Sequence, residues 1–185
     1  MKHEIRFSGF GGQGIILAGH IMGEAATLHT DLNATLTQSY GPESRGGACA
    51  AELILADEPI HFPHVIEPNL LVAMSQEAYN KYAPEMDEKG LIIIDETLVD
   101  PEAAPHHAPI LSVPATQIAG ELKKPIVANI VMLGFVTGVA NLVPETAMRE
   151  TILNRVPPQT RDLNSEAFSR GMAHAKTAEL RGVSR

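Results

Sequence analysis

The chain has 185 residues, 44% of them hydrophobic, and carries a formal charge of −8. That length suits one domain with a sizeable core and is short for two. An acidic chain with scattered Lys and Arg argues against binding to nucleic acid or an anionic membrane. A single cysteine, Cys49, excludes an internal disulfide, a cysteine-ligated iron–sulfur cluster and a Cys-rich zinc site within this chain, and fits a cytoplasmic setting.

Ile5 and Phe7 alternate with polar neighbours, which predicts a short strand over 3–8. No long apolar stretch precedes the glycines that follow, so no signal peptide is expected. Gly9-Phe10-Gly11-Gly12-Gln13-Gly14 turns the chain into a helix over 15–28, where Ile15, Ala18, Met22 and Ala25 recur at steps of three and four. Gly19, Gly23 and Ala26 give that helix a second face of small residues, open to close approach by another element or another chain. Residues 33–39 alternate Ala34, Leu36 and Gln38 with threonines and read as a second strand. A Gly- and Pro-rich loop over 40–47 leads to a third strand over 48–56. So short a link permits antiparallel pairing, which a helix-length crossover does not.

Pro59, Pro63 and Pro68 break the next stretch. The continuous apolar runs at 70–74 and 91–95 predict strands covered on both faces, with a helix over 76–82 between them. A last strand is expected over 110–113. Helices follow over 114–122, 127–142 and 145–155, and an amphipathic one over 163–180. The 127–142 helix is apolar nearly all round, as for an element buried on several sides. Its longest near-apolar run, 130–140, falls well short of the roughly 20 residues a membrane span needs. Strands alternating with helices predict an α/β fold: a three-layer Rossmann-like sheet, mostly parallel, with helices on both faces. One antiparallel hairpin-like strand and a helical C-terminal region from about 160 to 185 complete a single domain over 1–185.

Gly9, Gly11 and Gly14 satisfy G-x-G-x-x-G in the strand–turn–helix context of a dinucleotide site. That site also needs an acidic residue at the end of the second strand; Thr37-Gln38-Ser39 has none, and Asp31 lies at the wrong end. Two other readings stay open. The glycines only permit a tight turn and close packing, or the turn seats an anion or a partner segment on the helix N-terminus. Gln13 places an amide donor and acceptor at the sheet edge. In the loop Ser39-Tyr40-Gly41-Pro42-Glu43-Ser44-Arg45-Gly46-Gly47, Arg45 is a candidate clamp for a phosphate or carboxylate. Were the first two strands adjacent, this loop would lie beside the glycine turn. The bland alternative is a surface loop in which Arg45 pairs with Glu43 or solvent.

No P-loop and no G-x-S-x-G elbow is present. His61, His64, His106 and His107 lie in Pro-rich segments and read as surface loop rather than metal site, Cys49 and the methionines at apolar positions as core. The chain offers no self-contained catalytic set.

The two loops together resemble the gamma subunit of 2-oxoacid:ferredoxin oxidoreductases. Leu70-Leu71-Val72-Ala73-Met74-Ser75-Gln76-Glu77-Ala78 is similar to that family's central strand and following helix, and Val127-Ala128-Asn129-Ile130-Val131-Met132-Leu133-Gly134 to its buried helix. The Ser-Tyr-Gly-Pro-Glu form of the second loop looks more like the 2-oxoglutarate or branched-chain oxoacid enzymes than the pyruvate or indolepyruvate ones. The resemblance implies an accessory subunit of a multi-subunit enzyme that decarboxylates a 2-oxoacid, reduces ferredoxin and forms an acyl-CoA. Thiamine diphosphate, Mg and iron–sulfur clusters would sit on alpha, beta and ferredoxin-like delta partners, since this chain lacks Gly-Asp-Gly with paired asparagines and has one Cys. Candidate contacts to an anion, such as a CoA phosphate, are Gly11, Gly12, Gln13, Gly14 and Arg45. The alternatives are a free-standing dinucleotide-binding oxidoreductase and a ligand-free scaffold. A surface built to be covered exposes apolar area, so the isolated chain is expected to self-associate, with the Gly19/Gly23 helix and the loops beside it as the candidate surface.

Overall fold

The computed structural model describes residues 1–39, 48–104 and 106–178. Strands β1 (Lys2–Gly9), β2 (Asn33–Ser39), β3 (Cys49–Ala56), β4 (Leu70–Ala73), β5 (Leu91–Asp95) and β6 (Ile110–Val113) form one sheet in the order β2-β3-β1-β4-β5-β6. β1, β4, β5 and β6 run parallel, and β3 alone runs against its neighbours β1 and β2. The helices are α1 (Ile15–His29), α2 (Gln76–Tyr82), α3 (Ala115–Glu121), α4 (Ala128–Ala140), α5 (Glu145–Arg155) and α6 (Arg161–Ala175).

The period-two alternation of buried strands splits the core into two layers. Leu70 and Val72 of β4, Ile93 of β5 and Leu111 of β6 face a large layer with residues of α1, α3, α4, α5 and α6. Leu71, Ala73, Ile92, Ile94 and Ile110 face a smaller layer roofed by Ala78, Tyr79 and Tyr82 of α2. Cys49 is buried, and burial pushes its thiol pKa up, as for a small core residue.

Three expectations are corrected. β1 and β2 are not adjacent: β3 lies between them and pairs antiparallel with both. The two strands still run the same way, so Ser39, Ala50, Cys49 and Gly9 line one sheet edge. Nor is the small-residue face of α1 free. A Cβ on Gly19 would stand 2.9 Å from Leu36 Cδ1 and 3.0 Å from Ala51 Cβ, and one on Gly23 would stand 3.1 Å from Leu53 Cδ1. These glycines let α1 lie close on its own β2 and β3. The last helix also ends at Ala175, short of the expected 180.

α4 is buried from Ala128 to Thr137 because the sheet covers one side and α6 the other. The two helices touch backbone to backbone. A Cβ on Gly134 would meet Phe168 O at 2.2 Å, and one on Gly171 would meet Val131 O at 2.0 Å. At the amino edge of the sheet, buried Glu4 accepts from the N–H groups of Ile66 (2.7 Å) and Glu67 (2.9 Å) and pairs with Lys2. Burial opposes its ionisation, but the Lys2 ammonium and the two amides outweigh burial and hold the Glu4 carboxyl below its usual range.

Replacing Gly134 or Gly171 with Ala should cost roughly 2–3 kcal/mol by overpacking a backbone contact; urea unfolding reads this as a lower midpoint with an unchanged slope. Because the folded Glu4 pKa is depressed, its stabilisation is complete above the ordinary carboxylate pKa of about 4.3. It is lost as pH falls through the folded value. Glu4→Gln should therefore flatten the acid limb of a stability–pH profile and leave its shape above neutrality unchanged.

Candidate functional site

The carboxyl edge of the parallel strands carries the glycine turn, the start of α2 and the start of α3. Gly9 closes β1 and its Cα is bare for a reason: a Cβ there would lie 2.4 Å from Gln13 Oε1 and 2.8 Å from Ile15 Cδ1. Gln13 uses both ends of its amide inside the protein. Its Oε1 accepts from the Phe10 N–H at 2.6 Å, and its Nε2 donates to the Met74 carbonyl at 2.8 Å, just beyond the end of β4. The amide therefore ties the turn to the neighbouring strand rather than standing free for a ligand.

Gly14 has φ 75°, the left-handed region that a side chain rarely adopts. A Cβ on it would strike Asn129 Nδ2 at 2.3 Å, and that same Nδ2 donates to the Gly14 carbonyl at 3.3 Å. Asn129 is buried at the start of α4. It is the site residue that motif reading missed. Its signal was present: a lone amide in the first turn of an otherwise apolar helix.

Held from both sides, the turn presents its tip outward. Gly11 and Gly12 are exposed, with open space where their Cβ atoms would be, and Gly12 has φ 93°. No side chain caps α1, whose first backbone bond is Ala18 N–H to the Gly14 carbonyl at 2.9 Å. The first-turn amides and the positive end of the helix dipole thus sit next to two exposed glycines. Leu17, on that first turn, is 39% exposed. Arg45, and all of the loop over 40–47, lies outside the described residues. Ser39, from which that loop departs, ends β2 on this same edge.

The geometry counts against a dinucleotide. The parallel neighbour of β1 is β4, which ends in Ala73-Met74-Ser75 without a carboxylate, and Ser75 is spent capping α2 through Ala78 N–H. Asp95, at the end of β5, is wholly buried and engaged by the Thr97 N–H and by the N–H and hydroxyl of Thr116. It caps α3. A hollow of about 810 Å³ lies at the opposite, amino edge, beside Asn69 and Gly90. Its lining of Glu67, Glu85, Asp87 and Glu88 disfavours an anionic ligand. Of the histidines, His106 bonds the Ala108 carbonyl and His107 is exposed. Among the described residues no three His, Cys, Asp or Glu side chains converge to hold a metal.

The chain belongs to the pyruvate ferredoxin/flavodoxin oxidoreductase family, whose pattern it matches over residues 4–174. It is 51% identical to the 2-oxoglutarate synthase subunit KorC of Methanocaldococcus jannaschii, over 95% of each chain. It is 43% identical to the protein of the same name from Methanothermobacter marburgensis, over 92% of this chain and 95% of that one. In structure it resembles the gamma subunit of a keto/oxoacid ferredoxin oxidoreductase from Geobacter sulfurreducens, with a TM-score of 0.84 and 37% identity, over 95% of this chain and 99% of that one. No helix among the described residues is long and apolar enough to cross a membrane.

Gln13→Ala should free the Met74 carbonyl and the Phe10 amide and cost about 1–3 kcal/mol. Hydrogen exchange should speed up first at residues 10–14, while Asn129 and α4 keep their protection. Uniform loss of protection across the sheet would contradict a local clamp.

Proposed function

We propose that this chain is the gamma-type accessory subunit of a 2-oxoglutarate:ferredoxin oxidoreductase, one α/β domain over 1–185 that works only in its complex. The observation that carries the substrate assignment is the 51% identity to a 2-oxoglutarate synthase subunit along nearly the whole chain. The Ser-Tyr-Gly-Pro-Glu loop supports the same choice. The complex oxidatively decarboxylates the oxoacid to an acyl-CoA and passes the electrons to ferredoxin. Thiamine diphosphate, Mg and the iron–sulfur clusters belong in this reading to alpha and beta subunits and a ferredoxin-like delta subunit. The assembly is cytoplasmic.

The part assigned to this chain is on the CoA side. The exposed Gly11 and Gly12, the uncapped start of α1 behind Gly14 and an Arg at position 45 suit a phosphate: a helix N-terminus stabilises an anion, and Arg grips it with two parallel bonds. Gln13 acts here by holding the turn, not by touching the anion. The second reading is a subunit contact through the same loops, favoured by exposed Leu17 beside the turn.

One substitution separates the two. In the assembled complex Arg45→Ala should raise the KM for CoA about tenfold or more, the worth of a charge-assisted hydrogen bond, while the KM for the oxoacid and the subunit stoichiometry stay unchanged. An unchanged KM for CoA with normal assembly defeats the CoA role. Loss of co-purification instead makes the loop a subunit contact.

A further inference from the structure

Three polar side chains brace the carboxyl edge of the sheet. Gln13 spends both ends of its amide inside the protein, and Asp95 both oxygens of its carboxylate. Asn129 does not. The residue is 3% exposed, and its Nδ2 donates to the Gly14 carbonyl, which also accepts from the Ala18 N–H. Its Oδ1 accepts from no group among the described residues. Nor is that oxygen sealed in: the one sealed, unpartnered side-chain polar atom among the described residues is His3 Nε2. An acceptor without a donor in so buried a residue is costly unless something else supplies the donor. The position of the carboxamide narrows what that is. A Cβ on Gly14 would lie 2.9 Å from Asn129 Cγ, so the group stands where a capping side chain would stand at the head of α1. The N–H groups of Ile15, Ile16 and Leu17 open that helix without carbonyl partners, and no side chain caps them. An acceptor therefore lies beside a set of donors at the positive end of a helix dipole. A bare phosphate dianion would offer Asn129 Oδ1 only lone pairs. The pattern fits an anion that carries its own O–H or N–H close to its charge.

We propose that Asn129 is a ligand contact: its Oδ1 accepts a hydrogen bond from a hydroxyl of the bound molecule, while the first-turn amides of α1 hold the neighbouring anionic oxygens. This rests on the CoA reading above and narrows it. In CoA the pyrophosphate is followed by a carbon bearing two methyl groups and then by the pantoyl hydroxyl, the pantetheine donor nearest the phosphates. The head of α1 takes that junction: pyrophosphate oxygens on the amides, the hydroxyl on Asn129. Leu17, 39% exposed on the same turn, offers apolar cover for the methyl groups between them. The 3′-phosphate has no part in this contact. Asn129 thus has two duties, holding Gly14 through Nδ2 and reading the pantetheine arm through Oδ1.

A two-by-two cycle in the assembled complex tests this. Wild type and Asn129→Ala are each assayed with CoA and with a CoA analogue in which hydrogen replaces the pantoyl hydroxyl. The wild type should lose about tenfold in kcat/KM with the analogue, the worth of one hydrogen bond. Asn129→Ala should lose about tenfold or more with CoA and nothing further with the analogue, because the contact is already gone. A residue that only held Gly14 would give two independent losses that multiply. Multiplying losses, or a wild type indifferent to the hydroxyl, overturns the proposal. If Asn129→Ala fails to assemble, Asn129→Ser takes its place in the same cycle. Arg45→Ala separates this proposal from the reading beneath it. A raised KM for CoA in Arg45→Ala, with no coupling between Asn129 and the hydroxyl, overturns the Asn129 contact alone. No effect of Arg45→Ala, of Asn129→Ala or of the missing hydroxyl overturns the CoA reading with it.

Discussion

One side-chain amide sets the character of this protein. Gln13 spans from the Phe10 N–H to the Met74 carbonyl and so fastens the turn after β1 to the end of its parallel neighbour β4. Gly9 is glycine because that amide occupies the place of its side chain, and Gly14 because Asn129 occupies the place of its own. With the inner glycines fixed by these contacts, only Gly11 and Gly12 are left to face outward. A pattern that elsewhere cradles a dinucleotide here becomes a braced ledge of backbone amides at the head of α1.

The bracing comes from a core unusually dependent on small residues. With few aromatics, layers approach closely where glycine and alanine allow it: α1 on β2 and β3 through Gly19 and Gly23, α4 against α6 through Gly134 and Gly171. α4 is pinned between sheet and α6, and that places Asn129 under Gly14 from a helix more than a hundred residues away in sequence. Close-packed interiors transmit such constraints because they leave little room to relax.

Much of this was legible in the sequence. The strands over 91–95 and 110–113 follow from their short apolar runs and the strand over 33–39 from its alternation, and the helix over 76–82 also falls where it was expected. Strand order was not legible: the loop after β2 is short enough for a hairpin, but nothing local says that the returning strand inserts between β2 and β1. The small face of α1 was seen and its partner left open between another element and another chain, since periodicity reports that something approaches closely and not what; the structure puts β2 and β3 there. Gln13 was singled out by its position, yet which groups its amide would meet depends on Met74, sixty-one residues on. Arg45 falls in the loop over 40–47, outside the described residues, so its place beside the turn rests on the direction of β2.

The central claim is that this chain is an accessory subunit of an enzyme acting on 2-oxoglutarate. The most direct measurement is to tag the chain in its native cells, purify what it binds under anaerobic conditions, and assay CoA-dependent reduction of a viologen dye with different oxoacids. The account predicts a multi-subunit eluate, containing thiamine diphosphate and iron–sulfur clusters, that oxidises 2-oxoglutarate in preference to pyruvate. A chain that purifies without such partners, or with an activity that prefers another oxoacid, would contradict it.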